Sequence, residues 1–356
     1  MNVNEQLLLN RVEALRIPLE DPGLPLDWKD WYHFILLDLK TGIRLLVNAT
    51  LIGKPEQGQM QVSFIVNLPS TEIPKELESD TSVATFGTTF SLDWQPDMVC
   101  RHPLRLQGRG INLEINGMNS SVRVHDERAQ LSLNVQGQAE AMPLLVTEDA
   151  PFGSGFIGWG LIPGLKVSGD VSVCGRSFAI DHDWFCYHDR NFGRFCWGED
   201  IGWEWFVAYV TDKKGRSFTL VLDKRTNKNH SISGLPYIFI YSGTRLRKVF
   251  LGSTLQIDWD WSATASLPLR LPGIMASLFG DRTVSMPRQL QVQAADDQDQ
   301  LSLTMVFDAT SELIVPDNQS RQYTFIEEVT GAVDVTLVLQ GETIQARGFA
   351  YGEYVH

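Results

Sequence analysis

Apolar residues recur at every second position along much of this chain, and this alternation restricts the possible folds more than any other feature. The alternating sets are Ile111/Leu113/Ile115, Val122/Val124, Leu131/Leu133/Val135, Leu290/Val292, Leu301/Leu303/Met305 and Val333/Val335/Leu337/Leu339. Successive side chains of a strand point to opposite faces, so each set predicts a strand with one buried and one solvent-exposed face. Long antiparallel sheets close into barrels or stack as sandwiches, because closure removes unpaired edges. The pattern predicts an all-β protein of antiparallel β-barrels or β-sandwiches.

Glycines mark the predicted turns between these strands. Asn116-Gly117, Gln136-Gly137 and Gln340-Gly341 each follow or precede an alternating run. Lys40-Thr41-Gly42 separates two apolar runs, which is the pattern of a β-hairpin. These signals predict short connections between neighbouring antiparallel strands.

The length of 356 residues exceeds what one hydrophobic core usually supports, so two domains are expected. The polar stretch Lys224–Gly234 is the best linker candidate, although it also suits a long hairpin loop. We place the boundary there, with an N-terminal β domain over 1–228 and a C-terminal β domain over 229–356. Helices are predicted only at Glu5–Leu15 and Gly273–Phe279.

The charge balance argues against nucleic acid as a partner. Lysine and arginine number 30 against 43 acidic residues, a net charge of −13, and the basic residues form no stripe that would neutralise phosphates. No run of apolar residues reaches the ~20 positions of a membrane helix, and the first residues do not form an export signal. We therefore expect a cytoplasmic protein without an integral membrane segment, whose four cysteines are free thiols. The sequence leaves its oligomeric state open.

The densest mixture of ionisable and aromatic residues lies in the middle of the chain, over Asp181–Gly193 and Gly198–Phe206. On a strand, Glu204 would point away from Trp203 and Trp205 into apolar surroundings, and burial would raise its proton affinity as a general acid requires. Buried Asp, His and Arg side chains can also simply hold loop or bulge backbone, and both interpretations remain open for each residue.

Several other chemistries find no support in the sequence. The chain contains no nucleophile elbow, phosphate loop or dinucleotide fingerprint, which argues against covalent and nucleotide-dependent mechanisms. His182, Asp183, His188 and Asp189 do not follow a common metal-ligand spacing, and the cysteines form no CxxC pair. We expect neither a metal nor a cofactor.

The central block resembles the carotenoid 1,2-hydratase (CrtC)/AttH-like family of two-domain lipocalin-like proteins. Asp189-Arg-Asn-Phe-Gly193 is similar to the family's "DHxWG" and Gly202-Trp-Glu-Trp-Phe206 to its "GWDWF". Three further stretches agree in order: Asp30-Trp-Tyr-His-Phe34 with "EWWY", Leu165–Gly175 with the strand before the motif, and Gly348–Glu353 with "GxGYxE". The resemblance spans most of the chain and implies two packed lipocalin-like β domains around a hydrophobic small molecule.

The resemblance also implies a candidate proton donor, because Asp189 matches the aspartate that protonates a terminal alkene in the hydratases. The chain departs from the family at Arg190, where many relatives have His, at Phe192 for Trp, and at Lys29-Asp30 for Glu-Trp. More loosely, the resemblance extends to fungal decalin-forming Diels–Alderases and to tocopherol cyclase. It therefore implies a pocket rather than one reaction.

Three functions follow as hypotheses. The first is cofactor-independent cyclisation or isomerisation of a hydrophobic polyene, a polyketide or terpenoid, in which a donor such as Tyr32, His33 or Arg190 activates a carbonyl. The second is alkene hydration, in which Asp189 donates the proton and aromatic faces stabilise the cation. The third is non-catalytic carriage of a hydrophobic metabolite.

The predicted site residues divide by role. The candidate catalytic residues are Asp189, His188, Glu204 and Arg190. The candidate substrate-binding residues are Tyr187, Trp203, Trp205, Trp31, Tyr32, His33, Trp184 and Asn191. An enzyme predicts that the ionisable groups converge on the ligand, whereas a carrier needs only the aromatic walls.

Overall fold

The computed structural model describes residues 3–21, 23–73, 82–261, 263–266, 283–316 and 322–356. The chain divides into two compact units, Met1–Cys196 and Trp197–His356. Strands account for 68% of the described residues and helices for 6%, which confirms the predicted all-β class. Among the described residues, no helix has the length and apolar character that crossing a membrane requires.

In its described residues, the first unit contains one α-helix and thirteen strands that join in a single antiparallel sheet. The helix, α1, spans Val3–Glu13, as the sequence predicts. The strands are β1 Trp28–Asp38, β2 Arg44–Ile52, β3 Gln59–Pro69, β4 Val83–Asp93, β5 Val99–Arg101, β6 Leu104–Gly108, β7 Ile111–Asn116, β8 Asn119–Asp126, β9 Leu131–Ala139, β10 Leu144–Phe152, β11 Gly155–Val173, β12 Arg176–Ile180 and β13 Trp184–Arg194. Their order is β4-β3-β2-β1-β13-β11-β9-β8-β7-β6-β5, and β10 and β12 also pair with β11.

The described part of the second unit forms a nine-stranded antiparallel sheet and a short two-stranded one. Its strands are β14 Gly202–Asp212, β15 Ser217–Thr226, β16 Tyr237–Ser242, β17 Arg245–Leu251, β18 Leu255–Asp260, β19 Ala263–Ser266, β20 Thr283–Met286, β21 Gln289–Ala295, β22 Gln300–Pro316, β23 Tyr323–Leu339 and β24 Glu342–Val355. The large sheet runs β17-β16-β15-β14-β24-β23-β22-β21-β18, and β19 pairs with β20.

Each large sheet curls into a half-barrel around its own apolar core. Leu113, Val122 and Leu133 are buried in the first core, and Leu303 and Val335 in the second. The predicted alternation is thus confirmed, because the apolar members of each strand lie together inside one sheet.

Most of the predicted turns are confirmed. Gly42 links β1 to β2 with φ 80°, Gly117 links β7 to β8 with φ 59°, and Gly341 links β23 to β24 with φ 81°. Gly137 was predicted to lie in a turn, and this is wrong: it lies within β9, where an added Cβ would stand 2.5 Å from Ser120 Oγ. A glycine is therefore needed there because β8 approaches closely, and the sequence pattern does not distinguish that cause from a turn.

The units divide earlier than the predicted boundary at 228. β14 and β15 pair with each other, and β14 also pairs with β24 at the far end of the chain, so both strands belong to the second sheet. The polar stretch Lys224–Gly234 is the end of β15 and a loop within that unit, closed by a bridge between Thr226 and Ser233. Strand pairing over long sequence separations, rather than local composition, determines the division. The predicted helix Gly273–Phe279 lies outside the described residues.

Candidate functional site

Two paired strands of the first unit, β1 and β13, carry most of the predicted site residues. His33 lies opposite Asp189, and Phe34 opposite His188, across the β1–β13 pair. Because side chains alternate, Asp189 and His188 point to opposite faces of the sheet. Phe34 belongs to the apolar core, so His188 shares the core face while Asp189 and His33 share the other. The strand geometry separates catalytic candidates that are adjacent in sequence.

Asp189 is a buried carboxylate that accepts hydrogen bonds on both oxygens. Tyr187 Oη and Trp159 Nε1 donate to Oδ2 at 2.9 and 3.1 Å, and Asn191 Nδ2 donates to Oδ1 at 3.3 Å. His33 Nδ1 lies 3.4 Å from Oδ1. Asp189 is only 1% exposed, and His33 3%. The structure thus brings four predicted residues together, Asp189, His33, Tyr187 and Asn191, and adds Trp159, which sequence reasoning missed.

The face around Asp189 is apolar and aromatic although it lies opposite the barrel core. Trp31 and Ile35 of β1 and Leu161 of β11 share it with Asp189, and all three are buried. A carboxylate and an imidazole enclosed by such side chains have the chemistry to hold and transfer a proton beside an apolar ligand. We call Asp189, His33, Tyr187, Trp159 and Asn191 the Asp189 cluster.

Arg190 lies on the core face and anchors helix α1 to the sheet. Its guanidinium donates to the carbonyl oxygens of Glu13 at 2.8 Å and Ala14 at 3.3 Å, and it forms a salt bridge with Asp30. The Tyr32 ring lies under the guanidinium, with the two centres 3.6 Å apart. Because the guanidinium of Arg190 bonds the helix carbonyls and Asp30, the geometry assigns Arg190 to fixing the helix end and not to the Asp189 cluster.

Burial shifts the pKa values of the acids around Arg190 in different directions. Burial raises the pKa of Asp30, and the attraction of Arg190 offsets this only in part. Burial also acts to raise the pKa of Glu13, but His188 and Arg190 together outweigh it and leave that pKa lowered. Tyr32 has its pKa raised well above the ordinary value by burial. Tyr32 was predicted to bind substrate, but the structure places it within this core-face network.

His188 belongs to the same network. Its Nδ1 lies 2.8 Å from the His33 carbonyl oxygen, its Nε2 lies 3.2 Å from Glu13 Oε1, and its ring stacks on Phe34 at 3.9 Å. Both ring nitrogens thus lie beside oxygen atoms of the protein. Trp184, a predicted substrate-binding residue, also lies in the first core, where its Nε1 donates to Ala179 O at 3.1 Å. His188 and Trp184 thus stabilise the fold on the face of the sheet opposite Asp189.

Glu204 is buried, as predicted, but its pKa shift is opposite to the predicted one. Lys224 Nζ and His230 Nδ1 lie 2.7 and 2.9 Å from Oε1, and Trp259 Nε1 donates to Oε2 at 2.9 Å. Burial acts to raise its pKa, but these partners outweigh burial and leave the pKa lowered. The shift is thus the reverse of the one expected of a general acid, and the carboxylate is held by these partners inside the second unit. Sequence reasoning missed these partners because they are far from Glu204 along the chain. Lys224, for example, lies opposite Glu204 only through the pairing of β14 with β15.

A second acid in this unit was not predicted. Glu328 of β23 lies opposite Glu353 of β24 and is 5% exposed. Burial and the charges of Glu353 and Glu327 raise the pKa of Glu328 well above its ordinary value. No group in the described part of the chain donates to its Oε2. The adjacent glutamates in the apolar stretch Phe325–Val329 were the available sequence signal.

The predicted aromatic residues of β14 lie on the same face as these acids. Trp203 Nε1 donates to Glu353 Oε2 at 2.6 Å, and Trp205 lies opposite Glu353 in the β14–β24 pair and is 4% exposed. The predicted alternation of this strand is confirmed, because Phe206 and Ala208 point into the second core on the Glu204 side. The two faces of β14 thus carry separate polar groups.

The two antiparallel half-barrels give the chain a two-unit lipocalin-like fold. Three solved structures share this fold. Kievitone hydratase from Nectria haematococca has a TM-score of 0.55 and 12% sequence identity, and the match covers 97% of this chain and 94% of that one. A candidate AttH protein from Nitrosomonas europaea has a TM-score of 0.58 and 13% identity, with 95% of this chain and 96% of that one covered. CghA has a TM-score of 0.56 and 11% identity, with 92% of this chain and 88% of that one covered. No protein-family model and no curated protein matches the chain. The likeness confirms, at the level of fold, the resemblance drawn from the central motifs.

Proposed function

We propose that this protein is an enzyme that encloses a hydrophobic polyene and catalyses its cyclisation or isomerisation without a cofactor. The observation that carries the proposal is the Asp189 cluster, a carboxylate and an imidazole buried together among aromatic side chains on a face outside the barrel core. Burying a carboxylate costs free energy of folding, and a barrel stabilised by its apolar core does not require one on the opposite face. A functional role accounts for that cost.

In the proposed reaction, the Asp189–His33 pair supplies one proton to a double bond. Asp189 orients His33 through Nδ1, as a carboxylate commonly orients a catalytic imidazole. Protonation leaves a carbocation, which the π faces of Tyr187, Trp159 and Trp31 stabilise while a second double bond attacks it or a neighbouring C–H bond breaks. The proton lost from carbon returns to the pair, so the reaction is balanced without an added reagent.

The test is incubation with geranylgeraniol, and with a linear polyene tethered to an enone, in water enriched in deuterium and oxygen-18. Deuterium alone in the product indicates proton-initiated cyclisation or isomerisation. We expect Asp189→Asn to lower this incorporation at least ~100-fold, the usual scale of acid–base catalysis. The exposed Asp170→Asn on β11 is the matched control and should leave incorporation unchanged.

Glu328→Gln extends the test to the second unit, because burial and the neighbouring acids raise the pKa of Glu328 well above its ordinary value. Incorporation that survives Asp189→Asn but disappears in Glu328→Gln would move the proton donor to Glu328. A cyclised product without either label, formed equally by both variants, would contradict acid catalysis and support closure by pocket shape alone.

Hydration of an alkene is the second candidate, and kievitone hydratase, which shares the fold, is the reason to keep it. In that case both deuterium and oxygen-18 enter the product. Binding of both probes without any turnover would instead support the carrier hypothesis and overturn the enzymatic one.

A further inference from the structure

The second unit contains a cavity of its own, with a volume of about 470 Å³. Leu235, Pro236, Leu255 and Ile257 supply apolar wall, and Lys224 supplies a charged group. The size is within the range of sites that hold small organic molecules. Leu235 is 59% exposed and forms part of the opening. The cavity therefore offers apolar surface to a ligand beside a single lysine.

The polar groups behind Lys224 hold its partner Glu204 in place. Glu204 is the acceptor for Lys224, His230 and the Trp259 indole. The second ring nitrogen of His230, Nε2, lies 2.9 Å from the Val355 carbonyl oxygen. Each ring nitrogen of His230 thus lies beside a protein oxygen, which holds the ring next to Glu204. Among the partners of Glu204, Lys224 is the charged side chain that lines the cavity.

The Lys224 ammonium has hydrogen-bonding capacity left for a ligand. It has three N–H groups, and within the described ranges it donates to one acceptor, Glu204 Oε1, at 2.7 Å. The side chain is 18% exposed and lines the cavity. Glu204 already accepts three hydrogen bonds, from Lys224, His230 and Trp259.

We propose that the second unit binds an apolar carboxylic acid, with the chain of the acid against the cavity wall and its carboxylate on Lys224. One ammonium matches one compact monoanion, whereas a dianion would require a second cation at the wall. The proposal is independent of the reaction assigned to the Asp189 cluster. It makes this cavity a second small-molecule site in the chain.

The test is isothermal titration calorimetry of the full chain with decanoate, decanol and decyltrimethylammonium, which share one alkyl chain and differ in head group. We expect decanoate to bind about tenfold or more tightly than decanol, and the cationic probe to bind least. Lys224→Met should reduce decanoate affinity to that of decanol and leave decanol unchanged. Lys213→Met, at an exposed lysine of the β14–β15 turn, is the control and should change neither.

A second variant keeps the test valid if Lys224→Met does not fold. Leu255→Trp fills the apolar wall and should weaken decanoate and decanol together, while Lys224→Arg should retain the preference for the acid. Equal affinity of the wild type for decanoate and decanol, absence of decanoate binding, or decanoate binding that is unchanged in Leu255→Trp would each overturn the proposal. None of these outcomes depends on enzymatic turnover.

Discussion

At the scale of single residues, the environment of each acid sets its protonation state, and sequence neighbours are poor guides to it. Glu204 and Glu328 are both buried glutamates of the second unit, yet their pKa values shift in opposite directions. Glu204 has a lysine and a histidine as partners, whereas Glu328 faces Glu353 across the sheet. The difference arises from charge, since burial acts in the same direction on both.

Glu328→Gln should change how stability depends on pH. In the wild type the folded-state pKa of Glu328 is raised above its ordinary value near 4.5, so the folded state binds more protons than the unfolded state. Stability is therefore fully present below that value and is lost as pH rises through the folded-state pKa. The amide cannot ionise, so the variant should lose this dependence and melt about 2 to 4 °C or more above the wild type at neutral pH.

Thermal melts of the two proteins from about pH 5 to pH 8 measure this effect. The curves should converge at the acidic end and diverge as pH rises. Parallel curves over the whole range would show that Glu328 ionises in the folded state as easily as in the unfolded one. Glu342→Gln is the matched control, because the exposed Glu342 lies in salt bridges with Lys214 and Arg216.

At the scale of elements, helix α1 is held by one strand residue far away in sequence. Arg190 of β13 bonds the carbonyl oxygens at the helix C-terminus and pairs with Asp30 of β1, so it joins three elements. Removing it would leave Asp30 buried without its main charge partner. We expect Arg190→Met to cost about 3 to 5 kcal/mol of the free energy of unfolding, the scale for breaking a buried ion pair.

Urea denaturation measures that loss, and Arg194→Met supplies the control. Arg194 lies on the same strand and pairs with Asp27, but half of its side chain is exposed, so its removal should cost no more than about 1 kcal/mol. Equal losses in the two variants would contradict the anchoring role of Arg190. Arg190→Lys should recover only part of the stability, because an ammonium cannot reproduce the guanidinium's several directed bonds.

The pairing of β24 with β14 depends on close backbone approach at Gly348. A Cβ added there would lie 1.9 Å from the Tyr209 carbonyl oxygen, so the strand would have to move away from its partner. We expect Gly348→Ala to cost about 1 to 3 kcal/mol, as overpacking does, measured by urea denaturation. Gly164→Ala is the control, because an added Cβ there has no neighbour within 4 Å. Similar stability of both variants would show that the β14–β24 pair accommodates the side chain.

At the scale of the whole molecule, the two units repeat one arrangement. In each, a central strand carries polar groups on both faces: β13 holds Asp189 on one side and Arg190 on the other, and β14 holds Glu204 and, opposite, the Trp203 that bonds Glu353. The central strand is buried on both faces, so its polar residues must find partners within the protein. This explains why the richest polar motifs of the chain lie on two consecutive strands.

The sequence by itself determined the all-β class, most strand positions, the hairpin turns and the strands that carry the polar residues. These are local properties, because alternation with period two and turn glycines act over a few residues. It also identified Asp189 and the neighbours Tyr187 and Asn191, which lie two residues away on the same face of one strand.

Only the tertiary structure decided which ionisable groups meet. Asp189 meets Trp159 from β11, Arg190 meets the end of α1, and Glu204 meets Lys224, His230 and Trp259, all through strand pairing or loop return over distances that no local pattern encodes. The same pairing places the division between the units after residue 196, whereas the sequence had predicted it at 228. A pKa depends on the charges within a few ångströms, and folding alone brings those charges together.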